Sequence, residues 1–259
     1  MIKRMLSLWP LKAPIVLALA LSGAAMSRDG AAAEGRAGRD LVVVEMFTSQ
    51  SCSSCPPADA LLGELARRKD VLALSMHVDY WNALGWRDPF SRADVTARQK
   101  GYMQTLGTRY VSTPQAIVQG RAHAVGSDRR ALPRLIEQAK GSPGPRILPR
   151  LAMPGPDRMT VNLPDTALPG AATVWLIAFD DRHTARITGG ENTGATVTYT
   201  NVVRNLRKIG TWDGKARAIE VDISKDREAG YGNCAILIQS GRTGPILGAV
   251  AVPMTPAGH

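Results

Sequence analysis

Leu41, Val42, Val43 and Val44 form an unbroken apolar run rich in β-branched residues, which predicts a buried strand just ahead of a polar turn. Past that turn, Ala58, Leu61, Leu62 and Leu65 recur at helical spacing. Arg67, Arg68 and Lys69 follow, where positive charge suits a helix C-terminus. Residues 71–78 predict a second strand, the polar and aromatic segment 79–89 a loop, and residues 91–106 a second helix capped by Ser91. Thr113 and Pro114 introduce a third strand over 115–118, and a tight turn closed by Gly120 leads to a fourth over 123–125. Asp128 is placed to cap a further helix with apolar positions at Leu132, Leu135, Ile136 and Ala139.

The stretch Gly141-Ser142-Pro143-Gly144-Pro145 neither continues a helix nor enters a sheet interior, and beyond it the pattern changes to alternating strands separated by turns. Strands are predicted over 158–163, 173–179, 196–206, 216–223, 234–239 and 246–252, with a glycine-rich turn over 189–194. The fold class this predicts is an α/β thioredoxin-like N-terminal domain over residues 40–141, followed by an all-β, sandwich-like C-terminal domain over residues 146–256.

Ahead of both, Lys3, Arg4 and Lys12 precede an apolar stretch over 13–25, and the small residues Ala31 and Ala33 suit a signal peptidase. Residues 1–33 are therefore expected to be a signal peptide. The location expected is periplasmic or secreted, with no stable membrane span after cleavage. The formal charge of +10 is spread along the chain, aromatic content is 5%, and no recognition motif occurs, which argues against nucleic acid as a partner.

An oxidising compartment gives the cysteines meaning. There are three, and Cys52 and Cys55 stand on a turn between a strand and a helix. That spacing lets their Cα atoms approach to bridging distance, and the unpaired amides of the helix N-terminus favour a thiolate on Cys52, with Cys55 resolving. A bridge over so short a loop stabilises little. Parallel first and second strands would end on one sheet edge, with the third strand starting there, so the cysteines, the loop after His77 and Thr113-Pro114 are predicted to meet at one cleft. Cys234, flanked by Ala235, Ile236, Leu237 and Ile238, reads as a buried small apolar residue.

Residues 45–59 (EMFTSQSCSSCPPAD), His77-Val78-Asp79-Tyr80-Trp81, residues 85–90 (GWRDPF) and Thr113-Pro114-Gln115 together resemble the exported domain-of-unknown-function family 1223. Gly190-Glu191-Asn192-Thr193-Gly194 and Asn201-Val202-Val203-Arg204 resemble its C-terminal signature. The resemblance implies a thioredoxin-like fold and no particular substrate. Similarity to the wider thioredoxin superfamily implies that Pro114 is cis, that the Thr113 backbone aligns a partner, and that Glu45 is a buried acid able to take a proton from Cys55. The alternative for Glu45 is a strand-end carboxylate reaching water.

The function expected is an exported thiol-disulfide oxidoreductase without a cofactor, acting on a protein or small-molecule thiol or disulfide partner in the cell envelope. Two alternatives stand beside it. One is a non-enzymatic envelope binding protein with a structural disulfide; the other is a copper- or zinc-handling protein using Cys52, Cys55 and His77.

Overall fold

Strand β1 (Val42–Thr48) is buried along its whole length, because both of its faces are covered. Val42, Val44 and Met46 face the helices α1 (Pro56–Ala66) and α3 (Ala131–Lys140), meeting Leu61, Leu62, Leu132 and Ile136. Val43 and Phe47 face the other way, into a core shared with Val95 and Tyr102 of α2 (Ala93–Leu106). β2 (Val71–His77) lies parallel to β1 in a register that sets His77 beside Thr48. β3 (Gln115–Val118) runs antiparallel on its other side and is followed by β4 (Ala122–Val125). The computed structural model describes residues 40–254, so the expected signal peptide at residues 1–33 lies outside the described residues.

The second half contributes β5 (Arg150–Gly155), β6 (Arg158–Leu163), the long pair β7 (Ala172–Arg186) and β8 (Thr196–Trp212), β9 (Arg217–Asp222), a short helix α4 (Ser224–Glu228), β10 (Asn233–Ser240) and β11 (Ile246–Pro253). These strands overturn the expected fold class of a helix-rich thioredoxin-like α/β domain followed by a separate β-sandwich. The chain is predominantly β, and β8 pairs in parallel with β2 at Ser75 and Val202. One mixed sheet of eight strands results, in the order β11-β10-β7-β8-β2-β1-β3-β4, spanning both halves of the sequence. The physical reason is that β2 leaves backbone groups unpaired on its outer side, and β8 reaches that edge at Ser75 and Val202. Asn201 reinforces the seam: it takes a left-handed φ of 51°, and its side-chain amide donates to the Ala73 carbonyl at 2.7 Å.

A smaller sheet, β5-β6-β9, covers one face of the second half, where Met159, Val161 and Ile219 meet Val174, Leu176 and Ile236. The opposite face carries Trp175, Ile177 and Phe179 into the core shared with α2.

Candidate functional site

The site is assembled at the C-terminal end of β1. Backbone bonds from Cys52 N to the Ser49 carbonyl and from Cys55 N to the Cys52 carbonyl close two successive tight turns. Pro56 and Pro57 then open α1, whose first-turn amides need no partner within the helix, and Cys55 is its N-cap residue. Cys52 and Cys55 form a disulfide with their Cα atoms 5.4 Å apart.

Both sulfur-bearing residues are buried, at 1% exposure for Cys52 and 0% for Cys55, while Ser53 and Ser54 between them are exposed. Two loops provide the cover. From the β7–β8 turn, the Asn192 amide donates to the carbonyls of Gln50 and Cys52, and a Glu191 carboxylate oxygen accepts from Ser53 N at 3.1 Å. From the loop after β2, the Trp86 indole donates to the Gln50 side chain, and its carbonyl accepts from Ser51 Oγ. Gly190 joins the two loops at a φ of 74°. A Cβ there would come within 2.9 Å of Ser51 Oγ and 3.2 Å of the Trp86 Cβ, so only glycine fits both the angle and the space.

Behind the disulfide lies a buried ionisable cluster on the α1 side of the sheet. His77 Nδ1 is 2.7 Å from Asp88 Oδ2, with both side chains fully buried, and the same oxygen accepts from Gln50 N. Asp88 Oδ1 accepts from Phe90 N, and the Asn82 side chain accepts from Asp88 N, so the loop is fastened around this carboxylate. The pull of the His77 ring and these hydrogen bonds outweigh its burial and hold its pKa below the usual range. Tyr199 and Phe90 close over the imidazole with centroids at 4.8 and 5.3 Å. Asp59, one turn into α1, donates its amide to the Cys55 carbonyl, and neither carboxyl oxygen makes a hydrogen bond. Burial pushes its pKa up to about 7, against the pull of His77. His77 Nε2, Thr48 Oγ1 and Ser75 Oγ are also buried without partners.

The Thr113–Pro114 peptide bond is cis. Thr113 Oγ1 accepts from the Trp81 indole at 2.7 Å, and the Pro114 carbonyl accepts from Gly126 N. A Cβ on Gly126 would lie 2.9 Å from Pro114 Cβ and 3.1 Å from Ala58 Cβ and would run into Met46 Sδ, so these three side chains converge beside the first turn of α1.

Glu45 stands apart from this group. It lies on the β1 face turned toward α2, where its carboxylate takes two hydrogen bonds from Arg98, at 2.6 and 3.1 Å, and one from the Tyr102 hydroxyl. Among the described residues no three histidine, cysteine or acidic side chains are grouped to hold a metal ion, and His77 Nδ1 is bonded to Asp88. Cys234 is free and buried, and burial pushes its thiol up to about 12. Sequence reasoning assigned no role to Asp59 or Asp88. The signal for Asp59 is an acid between Ala58 and Leu62 on the apolar stripe of α1, four residues after Cys55.

No curated protein matches the chain. The crystal structure of protein AGR_C_4864 from Agrobacterium tumefaciens is 34% identical, covers 84% of this chain and 97% of that one, and superposes with a TM-score of 0.71. HBP35 of Porphyromonas gingivalis shares the fold at 15% identity, with 82% of this chain and 74% of that chain covered and a TM-score of 0.55. No helix among the described residues is long and apolar enough to cross a membrane. Residues 43–239 match the family described as Protein of unknown function (DUF1223), and the chain belongs to that family.

Proposed function

We propose that Cys52 and Cys55 undergo thiol-disulfide exchange with a protein or small-molecule partner in the cell envelope, the protein itself being periplasmic or secreted. In the reducing direction, the Cys52 thiolate attacks a partner disulfide, forming a mixed disulfide and expelling one partner thiolate. Cys55 loses its proton and attacks Cys52, which releases the second partner thiolate and restores the Cys52–Cys55 bond. Two electrons pass to the partner, and the oxidising direction is the reverse. The observation that carries this reading is a short-loop disulfide at the entrance of α1 with an unbonded, near-neutral carboxyl one turn further on. Asp59 is suited to take and return the Cys55 proton, because a group with a pKa near ambient pH does both. Thr113 and Pro114 lie beside that first turn and would align the partner, while Glu45, expected as the proton acceptor for Cys55, is held by Arg98 on the opposite face and leaves that role to Asp59.

A second reading is favoured by one observation: Cys52 is 1% exposed in the disulfide state, as a structural bridge in a binding protein would be. The two separate on exposure of the full chain to a graded dithiothreitol series, followed by alkylation and mass analysis. Reversible reduction at a defined potential, with Cys55→Ser trapping a mixed disulfide through Cys52, supports exchange. A bridge that stays closed under strong reductant while the protein remains folded establishes the structural role.

A further inference from the structure

A second cleft, of about 610 Å³, opens between α2 and the face of the sheet made by β7 and β8, with the β10–β11 turn at its rim. It lies on the opposite face of the sheet from α1 and the disulfide. Four cations line it, Arg98, Lys100, Lys208 and Arg242, against a single acid, Asp94. Asp94 is already held by Arg92 through two hydrogen bonds, and Arg98 is balanced by Glu45. Among the described residues Lys100, Lys208 and Arg242 have no ion pair, and Arg242 only rests over the Trp175 ring at 5.6 Å. Three positive charges therefore surround the opening without compensation.

The floor of the cleft carries the second observation. Trp175, 7% exposed, has its indole Nε1 buried with no hydrogen-bond partner, and Arg98, 4% exposed, has Nη1 in the same condition. Both groups are donors only, so a buried acceptor is what each lacks. Leaving such donors unmade costs free energy that an apolar or cationic occupant would not recover. Trp175 and Leu206 add an apolar wall. A carboxylate would compensate one of the three free cations. A phosphate monoester carries close to two negative charges and three strong acceptor oxygens, enough to reach both buried donors and the rim.

We propose that this cleft binds a phosphate monoester group. Both atoms are covered in the unliganded structure, so the group would sit against Lys208, Arg242 and Lys100 and accept from Trp175 Nε1 and Arg98 Nη1 once those side chains turn toward the opening. The same chemistry is offered by a soluble phosphate ester and by a phosphomonoester lipid headgroup. The assignment is independent of the disulfide, so its failure leaves the exchange reading untouched.

The test is calorimetric titration of the full chain with glycerol 3-phosphate, alongside co-sedimentation with vesicles of phosphatidylcholine containing phosphatidic acid. The comparison is a Lys208→Ala/Arg242→Ala double variant, both sites being exposed. Saturable binding of either probe, weakened about tenfold or more in the double variant, supports the site. Binding of glycerol 3-phosphate identifies a soluble ligand, and binding confined to the phosphatidic acid vesicles identifies a headgroup. Trp175→Phe, which keeps an aromatic wall but removes the donor, is expected to weaken whichever binding is seen. Absence of binding to both probes, equal affinity of the wild type and the double variant, or acetate binding as tightly as glycerol 3-phosphate would each overturn it.

Discussion

The side-chain amide of Asn192 donates to the backbone carbonyl of Cys52 at 2.8 Å, bridging 140 residues of sequence to fasten a turn of the second half over the disulfide of the first. The same amide holds the Gln50 carbonyl, so one residue clamps both sides of the cysteine turn. Asn192→Ala removes both bonds while leaving the disulfide and α1 intact. Reduction of Cys52–Cys55 by dithiothreitol is expected to be at least about fivefold faster in this variant, with about 1–2 kcal/mol of stability lost. Alkylation time courses and denaturant titrations measure the two effects. An unchanged reduction rate would show that the turn does not limit access.

Asp59 makes stability depend on pH in an unusual direction. Its folded pKa, about 7, lies above the 3.8 of the unfolded chain, so the folded state holds the proton more tightly between those values. The contribution is fully present below 3.8 and is lost as the pH rises through about 7. Asp59→Asn removes this loss. The melting temperature of the variant is expected to gain on that of the wild type by roughly 4 °C or more between pH 4 and pH 8. Asp88, whose pKa is lowered chiefly by His77 against its burial, acts in the opposite sense, its contribution falling away in acid. Parallel melting curves at all pH values would refute the assignment to Asp59.

Glu45 and Arg98 form a buried ion pair completed by Tyr102 and Gln239. Glu45→Gln strands the guanidinium without its counter-charge, and the expected loss is about 3–5 kcal/mol in urea denaturation. If Glu45 instead serves the disulfide directly, the reduction potential would shift more than the stability does.

The disulfide itself closes a loop of four residues, for which chain entropy supplies only about 2 kcal/mol. Replacing both cysteines by serine is expected to cost that much or slightly more, since the buried hydroxyls need partners. A loss well beyond about 4 kcal/mol would mark the bridge as a structural one.

Several elements were legible from residue order. β6 falls on the predicted segment, and the helices after Cys55 and before Thr113 follow their apolar spacing. Ser91 does not cap α2, because its hydroxyl is spent on the Asp88 carbonyl and the Asn82 amide, and the helix begins at Ala93. β5 was not legible: it is a short edge strand interrupted by Pro154, and its inward residues Leu151 and Met153 are only partly buried, so its alternation is weak. The face on which Glu45 lies was not legible either, since a strand apolar on both sides carries no alternation to orient it. Least legible was the union of the two halves. Apolar periodicity shows which side of a strand is covered, and β2 and β8 meet through backbone groups that every residue possesses.

The seam at Ser75 and Val202 also bears on how the chain tolerates division. A cut in the Gly141–Pro145 connection would leave the inner edge of β2 on one fragment and that of β8 on the other, each a ready template for unwanted strand addition. Neither fragment expressed singly would keep its hydrogen-bonding ladder covered, and self-association should follow. Supplied together, the pieces have a reason to find each other: the edge that makes each one sticky is the edge its counterpart was shaped to occupy.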